Sequence, residues 1–113
     1  MSNASLHARE KLFQAVDILV TGSGRVQERL GAAAIKLLPA RPQDIPYDDL
    51  RRTFVGVMDD LTYARAQGDE SRILATLKLT NDENARAIAR RILNLYIDLD
   101  ERLKRESERD APS

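Results

Sequence analysis

Nine consecutive residues, Ile18-Leu19-Val20-Thr21-Gly22-Ser23-Gly24-Arg25-Val26, have the types and spacing of a phosphate cradle. In a dinucleotide-binding unit an apolar strand enters a glycine turn, and the N–H groups opening the next helix hold the pyrophosphate. The full fingerprint asks for a third small residue at position 27, where this chain has Gln27. It also asks for a second buried strand ending in an acid for the ribose, but Pro39-Ala40-Arg41-Pro42 follows instead. The apolar residues before Gly22 fit a helical period. The expectation is an inter-helix turn and no cofactor.

Arg86, Arg90 and Arg91 form a second candidate set. The segment 72–92 loosely resembles a helix-turn-helix DNA reader, whose second helix enters the major groove. Asn81, Asn84 and Arg86 would then meet base edges, and Arg90 and Arg91 phosphates. Three positions depart from that pattern. Leu74 stands where a small residue is usual, Lys78 where a turn glycine is usual, and Asn84 where an apolar anchor is usual. Asp82 and Glu83 would also face phosphates. The competing expectation is a corner between helices with a solvated arginine face.

Catalytic chemistry has less to work with. His7 is the single histidine and cysteine is absent, so thiolate nucleophiles, thiolate metal sites and disulfides are excluded. No histidine–carboxylate spacing for a metal occurs. Asp48-Asp49 and Asp59-Asp60 are neighbours in sequence, but successive helical residues lie about 100° apart, so neither pair makes an acid/base couple. Their expected role is solvation and charge complementarity. The chain is read as non-enzymatic.

These residues are positioned by helices. The first is expected over residues 5–21, with Leu12, Phe13, Val16, Leu19 and Val20 as its stripe and Gly22-Ser23-Gly24 as its stop. The second covers 25–38, capped by Ser23 or Gly24, with Val26, Leu30, Ala33, Ala34, Leu37 and Leu38 inward. Gly31-Ala32-Ala33-Ala34 is small enough for close approach by a neighbour. Pro39 to Pro46 form a connection with one tight turn. A third helix over 47–67 carries Leu50, Phe54, Val57, Leu61 and Ala64, and Gly68 closes it. Asp69 caps a short fourth helix over 70–78 that buries Ile73, Leu74 and Leu77.

Thr80-Asn81-Asp82-Glu83 reads as a capping box. The last helix, 81–108, follows it with Ile88, Ile92, Leu95, Leu99 and Leu103 as its stripe. Beyond Leu99 come acid-before-base pairs four apart: Asp98 with Arg102, Asp100 with Lys104, Glu101 with Arg105. This stretch is expected to be a solvated end that frays. No segment alternates long enough for a strand, so the expected fold is all-α: an antiparallel bundle of four longer helices plus one short helix. The 113 residues make a single domain, with 1–4 and 107–113 frayed or disordered.

Composition narrows the function classes. Hydrophobic residues make up 42% and charged residues 32%, which suits a folded soluble domain. Eighteen basic and 18 acidic residues leave no net charge to drive non-specific nucleic-acid binding. The run Ile18-Leu19-Val20 is far short of the roughly 20 residues of a membrane span. The N-terminus lacks a signal-peptide pattern, so the cytoplasm is the expected compartment. Tyr63, Tyr96 and Met58, with Val55, Ile35 and Ile97, lie at the margins of the stripes. They are candidates for a partner face.

Thr21-Gly22-Ser23-Gly24-Arg25-Val26-Gln27-Glu28-Arg29-Leu30, Ile45-Pro46 to Leu61, and Ala89-Arg90-Arg91-Ile92-Leu93-Asn94-Leu95-Tyr96 occur in a recognisable order. The order resembles a family of small uncharacterised bacterial helical proteins. In that family a first helix ends in Thr-Gly-x-Gly, a Pro-led helix comes later, and the final helix carries Ala-x-x-Ile-x-x-Leu-Tyr. The resemblance implies a bacterial, cytoplasmic helical protein and carries over no functional residue. The leading functional expectation is a protein-binding or regulatory module that works through helix faces, with a homodimer as one form. Nucleic-acid binding through Arg86, Arg90 and Arg91 is the alternative.

Overall fold

A chain with five apolar stripes and no strand pattern must bury them against one another, and here one long helix supplies the common surface. The computed structural model describes residues 2–110. Its elements are α1 (Asn3–Thr21), α2 (Val26–Leu37), a 3-10 turn (Pro42–Asp44), α3 (Asp48–Leu61), α4 (Asp69–Lys78) and α5 (Asp82–Asp110). No strand occurs among the described residues. With 29 residues, α5 is about 43 Å long and spans most of the 52 × 26 × 19 Å molecule.

Ala85, Ile88, Ile92, Leu95, Leu99 and Leu103 recur at three- and four-residue steps on α5, and all are buried. Three helices, α1, α2 and α3, pack on α5, and α4 packs against α2 and α3. Pairings across the helices fix the directions. Arg9 meets Asp100 while Phe13 meets Tyr96, so α1 runs antiparallel to α5. Asp49 meets Arg102 while Asp60 meets Arg91, so α3 does too. The bundle is all-α, as the periodicity predicts.

The buried face of α1 differs from the one read in sequence. Ser5, Ala8, Leu12 and Ala15 are buried, whereas Phe13 is 48% and Val20 74% exposed. This helix packs on α2, whose buried face includes Gly31, Ala33 and Ala34, and small side chains on facing helices allow a short interaxial distance. Gly31 plays the same part between α2 and α4. A Cβ there would lie 3.0 Å from Leu77 Cδ1.

Several boundaries are also corrected. The third helix ends at Leu61 and not at 67, because the Ala64 N–H leaves the helical ladder and donates to the buried Thr76 hydroxyl at 3.0 Å. Gly68 therefore does not close α3. It precedes α4 at φ 86°, a left-handed conformation open to glycine, and Asp69 lies inside α4. Leu74 of α4 is 53% exposed, so the buried set is Ile73, Thr76 and Leu77. At the start of α2 the cap residue is Arg25 and not Ser23 or Gly24, and it makes no side-chain cap hydrogen bond. Helix α5 opens on Asn81, whose Oδ1 accepts from the Asn84 N–H at 2.7 Å. The Thr80 hydroxyl instead donates to the Thr76 carbonyl, so the Thr80–Glu83 capping box does not form.

The trailing end of α5 is docked, not merely solvated. Leu103 is buried, and Arg102 ignores Asp98 to grip both carboxylate oxygens of Asp49, at 2.7 and 2.6 Å. Its guanidinium lies 5.3 Å from the centre of the Tyr47 ring, and the Tyr47 hydroxyl donates to Glu106 at 2.6 Å. Asp100–Lys104 and Glu101–Arg105 form as expected, at 2.9 and 3.9 Å. Helix also covers Asn3, Ala4 and residues 107–110. Met1 and 111–113, which belong to the expected frayed ends, lie outside the described residues.

Two outcomes follow from this packing. Leu99→Ala should cost about 3 kcal/mol of unfolding free energy, read by urea titration, while Phe13→Ala should cost under about 1 kcal/mol. Equal costs would mean that the sequence-derived stripe of α1 is the buried one. The Arg102 guanidinium beside Asp49 holds its carboxyl down to about 2 from the ordinary 3.8. A lowered folded-state pKa contributes stability that is present above 3.8 and lost as pH falls toward about 2. Asp49→Asn should therefore flatten the acid limb in that window. Identical pH dependence of the denaturation midpoint in both chains would show that the pair contributes nothing.

Candidate functional site

The chemistry-bearing residues singled out in sequence do not converge. Residues 16–20, the stretch that would have been a strand in a nucleotide site, lie inside α1, and α1 continues to Thr21. The Gly22-Ser23-Gly24 segment turns the chain into α2, with Gly24 at φ 92°. Arg29 reaches back over this turn and donates through Nη1 to the Leu19 carbonyl at 2.9 Å. That contact satisfies one of the carbonyls a helix leaves open at its C-terminus. Among the described residues, no three His, Asp or Glu side chains are grouped to hold a metal.

The three arginines divide between two faces. Positions 86 and 90 are four apart and share one exposed face of α5. Position 91 is turned about 100° away, toward α3, and its guanidinium binds Asp60 at 2.5 Å. Gly56 makes room for it, since a Cβ there would lie 3.1 Å from Arg91 Nη2. The leading end of α5 is tied down as well. Gln27 Nε2 donates to Asp82 at 2.6 Å and to the Thr80 carbonyl at 3.1 Å, and Arg25 reaches the same carboxylate at 3.3 Å. The hydrogen bond from Gln27, then that from Arg25, lowers the Asp82 pKa. A helix meant for the major groove would here present a carboxylate already committed to α2.

The partner-face candidates separate in the same way. Tyr63 lies in the loop after α3, 58% exposed, at a shallow depression shared with Leu79, Asn84 and Arg91. Met58 is half-buried against the core. Tyr96 is on the α1 side of α5, half-buried, with its ring 5.9 Å from that of Phe13 and tilted by 54°. Tyr63 and Tyr96 thus belong to different faces.

What the structure does bring together is a strip on α1 and α5. Phe13 (48% exposed) and Val20 (74%) face out from α1, beside Leu93 (37%) and Ile97 (40%) of α5. Between the two helices runs an open groove of about 560 Å³, with Val16, Leu19, Val20 and Leu93 among its apolar walls and Arg86 and Arg90 on its edge. Neither arginine has a carboxylate within salt-bridge distance among the described residues, whereas Arg9, Arg25, Arg91 and Arg102 each do. The face is apolar in its middle, and one end carries Arg86 and Arg90 with Glu83 beside them.

Phe13, Val20 and Leu93 were absent from the sequence-derived partner face, because Phe13 and Val20 fit a plausible core stripe. The signal that could have found them was the competing stripe Ser5, Ala8, Leu12, Ala15, whose small residues suit the small face of the second helix. Compared with family models, with curated protein sequences and with solved structures, the chain finds no match.

Proposed function

We propose that the protein is a non-enzymatic docking module of the cytoplasm, whose interaction surface is the α1/α5 face. The observation that carries this reading is the strip of Phe13, Val20, Leu93 and Ile97, four exposed apolar side chains on two adjacent helices. Isolated apolar residues on a surface need no explanation, but a row rimmed by polar groups marks a place where another surface removes water. The groove between the helices adds concavity, and Arg86 and Arg90 at its edge, which no carboxylate among the described residues engages, would favour a partner with acidic groups there.

Nucleic-acid binding has weaker support, since Arg91 is held by Asp60 and the opening of α5 is acidic. Membrane spanning has none: among the described residues no helix is long and apolar enough to cross a bilayer. A photo-crosslinking side chain placed at Val20 or at Leu93 in the native host should yield discrete protein adducts. The same group at Arg52, exposed on α3, serves as the control. Adduct yields no higher at Val20 and Leu93 than at Arg52 would reject the docking face.

A further inference from the structure

The outward stripe of α5 carries an ordered pattern of charge. Positions 83, 86, 90, 93, 97, 101 and 104 follow one another at three- and four-residue steps, so they lie along one side of the helix. Every one of them is exposed. In order they read acid, base, base, leucine, isoleucine, acid, base.

Turned end for end about Leu93, this row is its own complement. Glu83 meets Lys104, Arg86 meets Glu101, and the aliphatic stem of Arg90 covers Ile97, each contact occurring twice. Leu93 meets its own copy on the axis. A parallel arrangement sets acid on acid and base on base throughout, which disfavours it. We infer that the occupant of the α1/α5 face is a second copy of this chain, packed through antiparallel α5 helices around a two-fold axis at Leu93.

The geometry of the rest of the molecule agrees. The row from 83 to 104 is about 32 Å long and lies entirely within α5. Helix α1 borders it, and its exposed Phe13 and Val20 extend the apolar middle. Two-fold pairing is the commonest closed arrangement of like chains, and it needs a patch complementary to itself. Arg86 is free to reach across, having no carboxylate within salt-bridge distance among the described residues. Glu101 holds Arg105 only at 3.9 Å, with over half of its side chain exposed. Lys104 is held by Asp100 yet remains 64% exposed.

The inference rests on reading the α1/α5 face as a docking surface, and sedimentation equilibrium of the full chain separates the two. The wild type should show a monomer–dimer equilibrium. Arg86→Glu or Glu101→Arg alone should weaken it at least about tenfold by setting like charges together, and the double variant should recover most of the loss. Both side chains are exposed, so helical content by circular dichroism should not change. Because the chain has no cysteine, Leu93→Cys supplies a lone thiol that added oxidised glutathione should convert, through disulfide exchange and with release of reduced glutathione, to a disulfide-linked dimer, while Val55→Cys on α3 should not dimerise. A wild type that stays monomeric at every concentration, or a double variant no tighter than the singles, overturns the inference. Adducts with other proteins at Val20, found together with a monomeric chain, would refute the second copy and leave the docking face standing.

Discussion

The structure depends on the burial of one side of α5. Ala85, Ile88, Ile92, Leu95, Leu99 and Leu103 form a continuous ridge along most of that helix, and three other helices find their places by covering it. Most helical stability in a protein comes from packing an amphipathic face, so α5 owes its stability chiefly to being covered. The cover is incomplete. With α1 on one flank and α3 on the other, the side opposite the ridge has no helix upon it among the described residues. The same geometry that makes α5 the centre of the fold leaves it as a long exposed edge.

Charge follows this arrangement. A chain with 18 bases and 18 acids has no net charge, yet the pairs are distributed with purpose. Arg9–Asp100, Asp60–Arg91 and Asp49–Arg102 run between α5 and its flanking helices, where they set direction and register. Asp60–Arg91 and Asp49–Arg102 are exposed enough that water screens them, so they contribute more to alignment than to stability, while Arg9–Asp100 is more covered. Tyr47 adds a contact at the far end. Burial first, then the adjoining Glu106 carboxylate, pushes its hydroxyl up to about 12, so it stays protonated and donates across the physiological range.

The fold was legible because apolar residues recur with helical pitch in every segment, and that pattern is local. The buried face of α1 was less legible, because two stripes compete on that helix. Phe13 and Val20 are the larger side chains, and a rule that buries the largest residues selects them. Ala8 and Ala15 are buried instead because of what α2 carries, and no local window on α1 contains that fact. The end of α3 was hidden for a similar reason. Ala64 continues the apolar period, but its N–H is claimed by Thr76, 12 residues further on. The candidate face suffered most. Tyr63, Met58 and Tyr96 sit beside their stripes by sequence, yet a margin can lie on either flank of a helix, and only the packing of α1 and α3 distinguishes the flanks.

Thr76 has a consequence for how this chain tolerates change. Fully buried Thr76 pins, through its hydroxyl, the loop that leaves α3, and the residues from Arg65 to Gln67 are exposed and carry no core side chain. Closing a longer loop costs little extra entropy once both its ends are anchored. One end is anchored here by the Thr76 hydroxyl and the other by the first turn of α4. Residues 65–67 are therefore where this chain can change length with least disturbance to the bundle, and where a reporter sequence could be inserted between α3 and α4.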